Sequence, residues 1–208
     1  MKYQSRDGNG YDFADGNGPV QAHQHPNGGG WVADTAKVED TVFVAIDARV
    51  FGTARVTGSV KLLDTSRIWG SAVVSDDVHL HDHATITGNA RVANHVALHG
   101  QAYINGDAMV YGNVYVGDTV RVYMDAEVCG DAVLLGADLV RYSPVVIAGL
   151  HYPAVTITEK YCNLTGGPSL PFTEWDELLA DEDALDELGG SELLDFSPIL
   201  IQLLEIFT

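Results

Sequence analysis

From Val32 to Val140 a branched aliphatic residue recurs at every sixth position, nineteen times without a miss. The column begins Val32, Val38, Val44, Val50, Val56, Leu62 and runs on to Leu134 and Val140. Two residues after each aliphatic from Val32 to Leu134 stands Gly nine times, Asp six times and Asn once, with Ile46 and Met124 as the exceptions. These residues tolerate tight or left-handed backbone, so the chain can bend there every six residues. Four residues after the aliphatic the side chain is small, ten times Ala and six times Val, with Ser66 and Asp138 as outliers. Each hexad therefore reads as a short strand plus a bend. A fixed short period of this kind predicts a solenoid in which every repeat buries its apolar edge against its neighbours.

The small-residue column also sets the number of sides. Val42, Val60, Val78, Val96 and Val114 fall eighteen apart, as do Ala36, Ala54, Ala72, Ala90, Ala108 and Ala126. Three hexads thus make one coil, and residues eighteen apart stack as parallel-strand neighbours about 4.8 Å apart. Six coils give a triangular prism roughly 29 Å long at that spacing. The expected class is all-β, a parallel β-helix of three-sided 18-residue coils, followed by a short α-helical segment.

The hexads resemble the hexapeptide-repeat left-handed β-helix family over residues 31–141. The resemblance implies left-handed coiling, opposite to the usual crossover. The run Gly88 to Val92 (Gly-Asn-Ala-Arg-Val) and the opening from His25 to Ala33, with Gly28-Gly29-Gly30-Trp31, look like uninterrupted hexapeptide-repeat proteins of bacteria and their phages. Such proteins often carry the label of acyltransferase, and many are trimers.

The flanks differ in kind from the repeat. Residues 1–30 hold seven Gly and no periodicity, and read as a lead-in that covers the first coil. Residues 142–172 read as an irregular connector with a short strand at Val155 to Ile157. Thr173 with Asp176 is a weak helix N-cap signal. Residues 173–208 then read as two helical pieces, the first acidic and the second apolar. The acidic piece carries Glu174, Asp176, Glu177, Asp181, Glu182, Asp183, Asp186 and Glu187. Ser197-Pro198 opens the second piece, whose Ile199, Leu200, Leu203, Leu204 and Phe207 are expected to serve assembly or capping.

The net charge of −18 is uneven: residues 1–30 carry −1, the repeat −6 and residues 142–208 carry −11. That balance argues against direct nucleic-acid binding through phosphate neutralisation. Cys129 and Cys162 are the only thiols, too few for a disulfide framework and suited to a reducing compartment. The sequence has no signal-peptide pattern and no apolar run of membrane-spanning length. A cytoplasmic setting, bacterial or phage-infected, is the expectation, with a virion as an alternative.

Residues flanking each aliphatic point outward and define three faces. One carries Arg49, Phe51, Arg67, Trp69, Tyr103, Arg121 and Tyr123, with Arg49 stacked below Arg67 and Phe51 below Trp69. Exposed Arg and aromatic side chains are typical interface anchors, so this face is the candidate partner surface. Cover by the protein's own flanks is the competing reading. A second face carries His79, His81 and His99, the last one coil above His81. Converging neutral imidazoles hold Zn²⁺ readily, which makes this trio the candidate metal site. Resemblance to the γ-class carbonic anhydrases would imply a His pair separated by four residues. His95 and His99 have three between them, which moves one ring to another hexad position. Otherwise no cofactor is expected.

An acyltransferase on this fold implies a protruding loop and a catalytic His, and the repeat has no insertion between Val32 and Val140. General-base chemistry needs a pocket as well as a base. The sequence therefore points to a non-catalytic scaffold that presents flat faces to a protein partner, whether itself, a virion or a host factor. Acyl transfer and a metal protein are the enzymatic alternatives. Acidic mimicry of nucleic acid, carried by bend Asp residues and the acidic helix, is the third reading.

Overall fold

The hexad pattern is realised as a parallel β-solenoid in the computed structural model, which describes residues 10–136, 139–140, 144–147, 155–158, 161–164 and 169–180. The acidic residues Asp181, Glu182, Asp183, Asp186 and Glu187, and the whole apolar piece from Ile199 to Phe207, lie outside the described residues. The first wall stacks Trp31–Ala33, Arg49–Val50, Arg67–Ile68, Thr85–Ile86, Tyr103–Ile104, Arg121–Val122 and Leu139–Val140 in chain order. The second wall starts with Lys37–Val38, Arg55–Val56 and Val73–Val74, and the third with Phe43–Val44, Lys61–Leu62 and Asp77–Leu80. Arg91–Leu98 and Met109–Val116 run through the corner between these two walls, joining them into one ten-stranded sheet. Every solenoid pair is parallel and offset by eighteen residues, as in Val32 to Val50 and Val50 to Ile68.

The register explains the burial. One aliphatic per side points inward, and the columns are sealed: Val44, Val50, Leu62, Ile68, Leu80, Ile86, Leu98 and Ile104 have no exposed surface. At about 25 cal/mol per Å² of apolar surface removed from water, this continuous strip is the main stabilising term. The small-residue column closes the corners, with Ala54, Ala72, Ala90 and Ala108 equally sealed. Ser66, the polar outlier in that column, is buried and donates its hydroxyl to the Leu63 carbonyl at 2.7 Å.

The bends do more than tolerate positive φ. Asp64 Oδ2 accepts the N–H of Asp82 (3.0 Å), Asp82 Oδ2 that of Gly100 (2.9 Å), and Asp118 Oδ2 that of Gly136 (2.9 Å). Asp76 does the same for Asn94 at 3.1 Å. A bend N–H has no ladder partner, and the carboxylate of the coil below supplies one. The two exceptions at this position differ. Met124 adopts φ 63, while Ile46 is not among the positive-φ residues.

Both ends are built from other structure. Tyr11 bridges Val20, and Ala22–Gln24 pairs antiparallel with Trp31–Ala33. Beyond the solenoid, Val145–Ile147, Val155–Ile157, Tyr161–Leu164 and Ser169–Pro171 form a four-stranded antiparallel sheet. Residues 142–172 read from sequence as an irregular connector with one strand; the segments are too short for their period of two to stand out, and local pairing reveals them. Helix Phe172–Leu179 follows, and its Trp175 is fully buried with Nε1 donating to the Cys162 carbonyl at 2.9 Å. Thr173 does not cap this helix. The N-cap position is Pro171, at φ −58 and without a side-chain cap, so the preset proline torsion replaces the expected capping bond. The Val133 N–H donates to Thr156 Oγ1 at 3.0 Å, tying the solenoid to this sheet.

Candidate interaction faces

On the first wall, the lead-in folds back over the lower coils. Phe13 stacks on Phe51 with ring centres 4.8 Å apart, and Phe51 stacks on Trp69 at 5.6 Å. Tyr11 stacks on Trp31 at 4.4 Å and meets Phe13 edge-on at 4.8 Å. Phe51 is left 4 % exposed and so offers no surface to a partner, a correction to its reading as a contact residue. The physical reason is that an aromatic ladder on a flat sheet is covered most cheaply by rings from its own chain. Arg49 is tied in as well, its guanidinium 5.5 Å from the Tyr11 ring centre and donating to the Phe13 carbonyl at 3.5 Å.

Among the described residues, the lead-in cluster ends at Trp69. Arg67 and Arg121 are exposed, while Trp69, Tyr103 and Tyr123 are half-buried. Arg121 lies 5.9 Å from the centre of the Tyr103 ring, one coil below it, a cation–π contact that holds both side chains against the wall. The upper part of this face thus keeps Arg67 and Arg121 exposed, while Phe51 in its lower part is internal.

On the third wall the histidines do come together, but as a stack. His81 and His99 lie face to face, ring centres 4.2 Å apart and planes 8° from parallel, and His99 stacks on Tyr115 at 5.0 Å. His79 meets His81 edge-on at 6.4 Å, and its Nε2 lies 3.3 Å from Asp77 Oδ1. Stacked rings aim their nitrogen lone pairs along parallel planes, so they do not converge on one ion. No group of three His, Cys, Asp or Glu side chains is arranged to hold a metal among the described residues. The expected zinc trio of His79, His81 and His99 is corrected accordingly. Burial, then the neighbouring His81, holds the His99 imidazole below its ordinary 6.5.

Tyr115 escaped the sequence reading because it sits sixteen residues after His99, diagonal to the eighteen-residue column. Its ring leans across Gly117, where an added Cβ would lie 3.0 Å from the Tyr115 ring and 2.6 Å from Leu135. Gly117 at an outward position was the available signal. On the second wall, Tyr111 donates to Glu127, and this bond, with Cys129 beside it, pushes the phenol up to about 12.

Among the C-terminal acids, Glu174 and Glu177 are exposed on the first turns of the short helix, and Asp176 lies between them. The bend carboxylates of Asp64, Asp76, Asp82 and Asp118 stay exposed while each accepts a backbone N–H of the next coil. No helix is long and apolar enough to cross a membrane among the described residues. Comparison with protein-family models, with curated proteins and with solved structures found no match.

Proposed function

We propose that the protein is a non-catalytic scaffold that presents the upper first wall to a protein partner, and that it belongs to the uninterrupted hexapeptide-repeat family. The carrying observation is the row Arg67, Trp69, Tyr103, Arg121 and Tyr123 on a rigid wall, from the edge of the described lead-in upward. Backbone ladders fix these side chains before any encounter, which lowers the ordering cost of association. Arg and Tyr supply large contact area with few torsions to freeze. The partner proposed is a second and third copy of the chain, as in trimeric relatives, or a phage-particle or host protein. The compartment proposed is the cytoplasm.

The test is mass measurement under native conditions combined with capture from the native cell extract, comparing wild type with Arg121→Glu and Tyr103→Ala. Loss of either the oligomer or one captured partner, with an unchanged melting temperature, supports the reading. Identical assembly and identical capture in both variants would reject it, as would turnover of an acyl-coenzyme A.

A further inference from the structure

At the N-terminal end of the solenoid the three walls are closed unequally. Strand Ala22–Gln24 covers the lower edge of the first wall. The third wall is covered by a loop, in which Gly30 N–H donates to the Val44 carbonyl and Val44 N–H to the Asn27 carbonyl, both at 2.9 Å. The second wall ends on Lys37–Val38, the terminal strand of its sheet, and no described strand lies below it.

The direction of its backbone groups follows from the bonds it does make. Lys37 and Glu39 donate upward to the Ala54 and Val56 carbonyls at 2.8 and 3.0 Å. The carbonyl of a peptide unit points opposite to its N–H, and a strand alternates direction at each residue. The Ala36 and Val38 carbonyls and the Val38 N–H therefore point toward the open end. Beside them lies a hollow of about 530 Å³ with Val32, Ala36 and Val38 among its lining residues.

The charges around this hollow are unbalanced. Among the charged side chains lining it, Lys37 and Arg55 outnumber Glu39, whose Oε2 accepts the Gly58 N–H at 3.0 Å. Lys37 and Arg55 are register neighbours on adjacent coils. Neither has an ion-pair partner among the described residues. Like charges directly opposite each other in a ladder repel, and here no described carboxylate pairs with either, in a chain with 29 acids and 11 Lys and Arg.

We propose that this end binds an extended acidic peptide segment of a partner protein. The segment adds as a strand along Lys37–Val38, with one acidic side chain between Lys37 and Arg55. A small anion would satisfy the two cations and the Val38 N–H, but it has no donors for the Ala36 and Val38 carbonyls. A peptide backbone brings both donors and acceptors, which is the logic of strand addition at a sheet edge. Apolar residues alternating with the acids would face Val32 and Val38. The first nine residues of the chain carry Lys2 and Arg6 against Asp7, the wrong sign for this role. The end site is separate from the upper first wall, so either reading can fail alone.

The experiment titrates the full-length protein into a fluorescein-labelled hexapeptide of alternating Val and Glu and follows anisotropy. Saturable binding is expected, weakened at least about tenfold by Arg55→Glu or Lys37→Glu, as loss of a charge-assisted bond implies. Arg91→Glu, two coils higher in the same column, should leave it unchanged. An N-methylated version of the peptide, tested on the wild-type protein, should lose binding even if a variant folds poorly. Absence of saturable binding overturns the proposal. So does equal affinity for the N-methylated peptide, which would mark a simple anion site instead, and so does indifference to both charge reversals.

Discussion

A Met with φ 63 stands at the top of a column whose lower members Gly52, Gly70, Gly88 and Gly106 all have positive φ. A side chain there clashes with its own backbone, at a cost of roughly 1–2 kcal/mol. Met124→Gly is therefore expected to raise the unfolding free energy by up to about 1 kcal/mol, since glycine returns part of the gain as unfolded-state entropy; urea titration measures it. Asp82 has both a positive φ and a bond to the next coil. Asp82→Ala keeps a Cβ at the same positive φ and should isolate the bond, a loss of about 1 kcal/mol. Asp82→Gly loses the same bond but relieves the backbone strain, so its cost should be smaller than that of Asp82→Ala. At His99 the folded state disfavours the protonated ring, so the unfolded chain binds protons more readily. The stability this gives is complete above pH 6.5 and declines as pH falls below it. Thermal melts between pH 5 and 8 should show this decline in wild type and a flatter profile in His99→Gln.

At the scale of elements, the lead-in is held by rings rather than by a hydrogen-bonded ladder of any length. Phe13 is 2 % exposed, and Phe13→Ala should cost about 3 kcal/mol of lead-in docking. Trp69 emission should shift to the red as Phe51 and Trp69 become wet, while the solenoid's circular dichroism stays the same. An unshifted spectrum would mean that the ladder does not hold the lead-in. The C-terminal sheet depends similarly on Trp175 and its bond to the Cys162 carbonyl. The buried Cys162 thiol is pushed up to about 12 by desolvation, so it remains a thiol at neutral pH and should resist alkylation until the sheet opens.

For the whole molecule, stability is a sum of coils and of contacts between neighbouring coils. Deleting one full coil, residues 73–90, should preserve a cooperative solenoid with a lower melting temperature, because Arg91 then stacks directly on Arg55. Deleting only six residues, 73–78, sets walls out of register and should abolish cooperative melting. The legibility of the molecule follows the same division. The aliphatic and small columns could be read because each position repeats its environment every eighteen residues, and the structure seals both. The reading of Phe51 and of the histidine trio failed because contacts made by Phe13 and Tyr115 are aperiodic or diagonal to the columns. The open edge at Lys37–Val38 was equally invisible, since an unpaired backbone group leaves no trace in residue type.

By itself the sequence determined the three-sided coil, its length and the direction of every repeat side chain, because a period of six admits one packing of inward aliphatics. Tertiary structure alone decided which outward residues meet solvent. That depends on where the non-repeating ends fold back, and their contacts join residues far apart in the chain through shape rather than periodicity.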